Sequence, residues 1–177
     1  MKKIITLLLI ISFSFKTQNS LAQTGLVTPK AMVVSARVEA SKIGSEIMKK
    51  GGNAFDAMVA TELALAVSFP YAGNIGGGGF MVYRKSNGEI GSLDYREKAP
   101  LAASKNMFLD EKGNVIKGKS LETALAIGVP GTIAGVFEVH KKLGSLPIEE
   151  ILKPVIELAE RGVIVTKKQE IQLKNHH

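Results

Sequence analysis

The apolar and polar positions change period at a run of four glycines, Gly76 to Gly79. Before the run, apolar residues recur at helical spacing; after it they alternate as on a strand. Ala31 to Ala36 reads as a short apolar strand. Val38 to Lys50 is predicted as an amphipathic helix, with Ile43, Ile47 and Met48 on one stripe and Gly51-Gly52 as its stop. Asn53 is placed to cap the next helix, which carries Asp56, Val59, Leu63, Leu65 and Val67 to about Phe69, where Pro70 ends it. That helix is apolar nearly all round, so it is expected to be central and packed on both sides, and a shortened chain would leave it short of cover.

Beyond the glycines, Phe80 to Tyr83 and Ile90 to Arg96 flank Ser86-Asn87-Gly88, and Asn-Gly between two extended runs signals a β-hairpin. Leu109 to Gly118 carries a second polar turn at Lys112-Gly113-Asn114. Pro130-Gly131 opens a helix from about Thr132 to Leu143, and Ser145 is expected to cap another from Pro147 to Arg161, with Pro154 as a kink point. Strands packed on helices make the chain α/β in class, one domain by length.

The first residues change the meaning of the composition. Lys2-Lys3, the apolar stretch Ile4 to Phe15 and the small-x-small site Ser20-Leu21-Ala22 have the form of a secretion signal, so residues 1–22 are expected to be removed and residues 23–177 to be the mature chain. The apolar stretch is about a dozen residues where a spanning helix needs roughly 20, so no stable membrane anchor is expected and the destination is periplasmic or secreted. Three of the 23 basic residues (Lys2, Lys3 and Lys16) leave with the signal, which lowers the formal charge from +7 to +4. The remaining lysines lie in scattered pairs near acidic residues and aromatics are few, a pattern that does not call for nucleic acid. The chain has no cysteine, which excludes disulfides and thiolate metal sites.

Four segments carry the chemistry: Asn53-Ala54-Phe55-Asp56-Ala57, then Asn74-Ile75-Gly76-Gly77-Gly78-Gly79-Phe80-Met81, then Asp94-Tyr95-Arg96-Glu97-Lys98-Ala99-Pro100, and Gly128-Val129-Pro130-Gly131-Thr132. In order and spacing, from about Ala31 to Gly162, they resemble the large-subunit half of γ-glutamyltransferases. The resemblance implies an N-terminal nucleophile hydrolase fold, an αββα sandwich of which only the N-terminal portion is present. It implies a precursor that cuts itself into a large and a small subunit, the new N-terminal threonine of the small subunit serving as nucleophile. It also implies transfer of a γ-glutamyl group from a glutathione-like donor to water or an acceptor amine, with no cofactor. That threonine lies beyond this chain, which stops at His177 within the helix-forming segment 167–174, so the chain reads as a truncated large subunit missing its small-subunit segment and inactive alone. The alternatives are a non-catalytic binding or assembly module, or a related amide hydrolase acting on poly-γ-glutamate.

Arg96 is the substrate-binding candidate. Period-two alternation places Ser92, Asp94 and Arg96 on one strand face and Leu93 and Tyr95 on the other. Its planar fork matches a carboxylate with two parallel hydrogen bonds, and by the resemblance this arginine holds the α-carboxylate of the γ-glutamyl group. By composition alone it reads instead as a surface partner of Asp94 or Glu97, two carboxylates that fall on opposite faces and make no acid/base pair. The glycine loop lacks nucleotide-loop spacing and is assigned a shaping role, with backbone amides available to an anion. Asp56 reads as a buried carboxylate held by a backbone group or Asn53. His140, His176 and His177 have no partners at metal-ligand spacing, so no metal is expected. Thr24 becomes an N-terminal nucleophile only if the signal is cut after Gln23, a poor cleavage position.

Overall fold

A computed structural model describes residues 25–73 and 75–175 of the chain. Residues 1–24, including the segment expected to be a secretion signal and Thr24, together with Asn74 and the two terminal histidines, lie outside the described residues. Residues 25–31 form a unit separate from residues 32–177; in it Thr28 Oγ1 donates to the Ala31 carbonyl at 3.0 Å.

In the larger unit, four helices pack together and carry a two-stranded sheet. Helix α1 is Val38–Lys49 and helix α2 is Ala54–Ser68. Strands β1 (Phe80–Arg84) and β2 (Ile90–Asp94) follow. Next come a single turn α3 (Lys119–Glu122), a 3-10 turn over Ala124–Ala126, α4 (Thr132–Leu143), α5 (Ile148–Arg161) and α6 (Lys167–Lys174). Helix α2 is central as its composition predicts, in contact with α1, α4 and α5. The core is formed by Ile43 and Ile47 of α1, Val59 and Leu63 of α2, Val136 and Val139 of α4, and Ile151 and Leu158 of α5. The expectation that α2 would lack cover is therefore corrected. Three helices of this same chain supply the cover, because each has its own apolar stripe to bury.

Asn53 starts α2 with a capping box. Its Oδ1 accepts from the amides of Phe55 (2.8 Å) and Asp56 (3.0 Å), while Asp56 Oδ2 accepts from the Asn53 amide at 2.8 Å. α1 and α2 approach closely at Gly44, where an added Cβ would meet Thr61 Oγ1 and the Ala57 carbonyl.

The hairpin is antiparallel, with Met81 opposite Leu93 and Val82 opposite Ser92. Its alternation is as predicted. Met81, Tyr83 and Leu93 are half-buried toward the helices, and Phe80, Val82, Ile90, Ser92 and Asp94 are exposed. Tyr83 meets Phe55 of α2 edge-on, ring centroids 5.4 Å apart.

Two expectations are corrected. Residues 31–36 form no strand, since the described sheet contains only β1 and β2, and an apolar run without a ladder partner remains an extended loop. Ser145 does not cap α5. Pro147 occupies the cap position without a side-chain bond, and Ser145 turns to Asp56 instead. Pro154 lies inside α5, which continues through it to Arg161. The polar turn after Leu109 is present, with Asp110 Oδ1 accepting from the amides of Lys112 and Asn114 and a bridge pairing Leu109 with Val115.

Candidate substrate site

Strand β2 ends at Asp94, but its backbone stays tied for four more residues. Tyr95 exchanges two backbone hydrogen bonds with Gly79, at 2.9 and 3.3 Å, and Lys98 exchanges two with Val129, at 2.8 and 3.2 Å. Arg96 sits between these pairs, and Asp94 Oδ1 accepts its backbone amide at 3.0 Å. The Arg96 side chain is exposed and, among the described residues, makes no ion pair or side-chain hydrogen bond. It borders an open groove of 620 Å³ lined by Asp94, Lys98, Val129, Pro130 and Ala134 among others. Five donors of a guanidinium are thus presented to solvent at a fixed backbone position. The carboxylates expected to hold Arg96 do so in part: Asp94 holds its backbone, and no bond from its side chain reaches Glu97.

The glycine loop explains that fixed position. The Gly77 carbonyl accepts from the amides of Gly131 (2.8 Å) and Thr132 (3.1 Å), two donors left over at the start of α4. Gly78 lies flat on the segment that follows β2: a Cβ there would stand 2.7 Å from both Arg96 Cα and the Glu97 amide nitrogen. The loop is packed against the backbone around Arg96, with the Gly77 carbonyl bonded to the start of α4 and the Gly79 amide bonded to Tyr95. Its glycines serve close backbone approach.

Beneath Arg96, Tyr95 points the other way, and its hydroxyl donates to Glu62 Oε2 of α2 at 3.0 Å. Burial pushes the Glu62 carboxyl above its ordinary range, only partly offset by that hydrogen bond, and burial together with the Glu62 charge pushes the Tyr95 phenol up. Sequence reasoning passed over this pair. The available signal was a glutamate in an otherwise apolar helix.

The remaining candidates are structural. Asp56 is fully buried and accepts from the Ser145 hydroxyl (2.5 Å), the Ser145 amide (3.0 Å) and the Asn53 amide. Burial pushes its carboxyl up, but the hydrogen bonds from Ser145, Asn53 and Leu146 outweigh this and hold it below the usual aspartate range. His140 Nε2 is engaged with the Leu146 carbonyl at 2.8 Å. Arg37, not singled out from sequence, grips Glu39 with two bonds and reaches Gln169 and the Ile164 carbonyl, tying the start of α1 to α6.

Known proteins match this arrangement closely. The glutathione hydrolase proenzyme of Pseudomonas sp. (strain A14) is 49% identical over 144 residues, which span 81% of this chain and 25% of the relative. That of Escherichia coli (strain K12) is 45% identical over 147 residues, 83% of this chain and 25% of the relative. The crystal structure of Helicobacter pylori gamma-glutamyltranspeptidase superposes with a TM-score of 0.81 at 48% identity, covering 85% of this chain and 43% of that one. The chain thus spans about a quarter of the length of these curated relatives. With the gamma-glutamyltranspeptidase family model matching residues 40–177, and the same fold in a solved member, the chain belongs to the gamma-glutamyltranspeptidase family.

Proposed function

We infer that this chain is the part of an exported γ-glutamyltransferase that grips the donor, with Arg96 binding the α-carboxylate of a glutathione-like γ-glutamyl compound. The observation that carries the reading is the Arg96 guanidinium itself, exposed, without a side-chain partner among the described residues, and rooted in a backbone clamped on both sides. A γ-glutamyl amide differs from an ordinary peptide by a free α-amino and α-carboxylate group two methylenes from the scissile carbonyl. A two-pronged cation recognises that carboxylate. Held there, the donor's γ-carbonyl is placed for attack by a nucleophile, and the acyl group then passes to water or an amine. The nucleophilic threonine and the oxyanion donors belong to the small-subunit segment, in this reading outside the chain, so the 177 residues alone turn over no donor. Residues 1–22 direct export to the periplasm or beyond.

The test is made in a full-length enzyme carrying this sequence. Arg96→Lys keeps the charge and loses the fork; Arg96→Ala loses both. Truncating one partner of such a pair costs about 2 to 5 kcal/mol, so kcat/KM on a γ-glutamyl anilide is expected to fall roughly 30-fold to several-thousand-fold for Ala, and less for Lys. On the 4-aminobutyryl anilide, which lacks the α-carboxylate, wild type and Arg96→Ala are expected to be nearly equal. Equal losses on both donors would make Arg96 a structural residue.

A further inference from the structure

We propose that Tyr95 is a positioning residue for donor recognition, its ring seated in a glycine socket and its hydroxyl held by Glu62, so that the neighbouring Arg96 is set at the depth and angle that a carboxylate requires. The inference rests on the reading of Arg96 given above.

Three glycines from two separate segments make room for this one residue. A Cβ on Gly79 would stand 2.7 Å from the Tyr95 ring, a Cβ on Gly135 would run into the ring and its Cβ, and a Cβ on Gly131 would strike the Tyr95 carbonyl. Gly135 lies inside α4, where glycine is less favourable than alanine, a cost that is offset only if something must fit beside it. What fits is an aromatic ring. A phenylalanine would fill the same space, but the tyrosine hydroxyl reaches Glu62, a partly buried carboxylate on the central helix for which this hydroxyl is the side-chain donor. The ring is thereby tied to α2, the least exposed element of the fold, and to α4 through its glycines.

Tyr95 continues the pairing of β2 through its two bonds to Gly79 and is half-buried where Arg96 is exposed, so a fixed Tyr95 leaves the next Cα little freedom. The backbone bonds of Tyr95 to Gly79 and of Lys98 to Val129 restrain the same segment from both ends. Two-pronged recognition is demanding: site geometry has to hold within about 0.5 Å, and a displacement of roughly 1 Å can cost about 100-fold. Tyr95 therefore acts on specificity through Arg96 without touching the donor.

The readout is a ratio, kcat/KM on the γ-glutamyl anilide divided by kcat/KM on the 4-aminobutyryl anilide, measured on one preparation of the full-length enzyme. The fraction of folded protein cancels in it. Tyr95→Leu empties the socket and is expected to lower the ratio roughly 10- to 100-fold. Tyr95→Phe keeps the ring and is expected to retain it within about threefold, and Glu62→Gln, which keeps an acceptor for the hydroxyl, likewise. In an Arg96→Ala background, where the ratio has already collapsed, Tyr95→Leu is expected to lower it no further. If Tyr95→Leu slows both donors equally and leaves the ratio at the wild-type value while Arg96→Ala collapses it, Tyr95 is merely structural and the inference is overturned. If Arg96→Ala itself leaves the ratio unchanged, the carboxylate reading of Arg96 fails first, and the role of Tyr95 falls with it.

Discussion

In the helical layer Ile47, Val59, Val136 and Ile151 are completely or almost completely out of water, whereas on the outer face of the hairpin Phe80, Val82 and Ile90 stand 73, 74 and 71% exposed. All seven are large apolar residues at regular periodic positions. The helices close on one another because α1, α4 and α5 each turn an apolar stripe onto α2, which is apolar nearly all round. The hairpin packs one face on those helices and has apolar residues on the other as well, the pattern of a sheet covered on both sides. One region is saturated by its own contacts. The other keeps its outer apolar residues and the neighbouring Arg96 open to solvent.

Burial predicts the largest difference between the two regions. Ile47→Ala or Ile151→Ala is expected to cost about 2 to 5 kcal/mol, and Ile90→Ala no more than about 0.5 kcal/mol, measured as urea unfolding of the chain followed by helical circular dichroism. Equal losses would erase the contrast.

The polar tie within the helical layer comes next. Asp56→Ala leaves the Ser145 hydroxyl and the amides of Ser145 and Asn53 without their acceptor, at a cost of about 1 to 3 kcal/mol. The pH dependence has a definite sign. Because the folded-state pKa of Asp56 is depressed, its contribution is present above the ordinary aspartate range and is lost as pH falls through the lower folded value. Acid titration of the unfolding midpoint is expected to show this loss in wild type and a flatter profile in Asp56→Asn.

Glu62, at the seam between the regions, runs the opposite way and more weakly. Its folded-state pKa is raised by burial, so the folded chain binds its proton more tightly than the unfolded one, and stability declines as pH rises from the ordinary glutamate range through the raised value. Glu62→Gln is expected to remove that decline while keeping an acceptor for Tyr95. A midpoint that rises over this pH range in wild type would contradict the assignment.

The smallest effect on stability is expected on the outer face. Replacing Phe80, Val82 and Ile90 together by threonine is expected to reduce binding of a hydrophobic dye while leaving the unfolding midpoint close to wild type. Unchanged dye binding would place the chain's sticky surface elsewhere.

Periodicity and local chemistry were enough to place α1, α2, the hairpin, α4 and α5, because each depends on residues a few positions apart: the Asn53–Asp56 capping box, the Asn87-Gly88 turn, and the Pro130-Gly131 entry to α4. The exposure of Arg96 was legible from the alternation of the residues before it. Contacts between residues distant in sequence were not. Ser145 has the chemistry of a cap for α5, and only the arrival of Asp56, 89 residues earlier, turns it to another acceptor. The run 31–36 has the composition of a strand, but a strand exists only where a ladder partner is supplied. Glycines 79, 131 and 135 look like unrelated breakers until Tyr95 is seen between them. Sequence by itself determined the main helices and the hairpin and singled out an arginine whose fork matches a carboxylate, since those follow from short-range periodicity and side-chain chemistry. Only the tertiary structure decided that Tyr95 meets Glu62, because a hydrogen bond across 33 positions depends on how the elements pack and leaves no periodic trace in the chain.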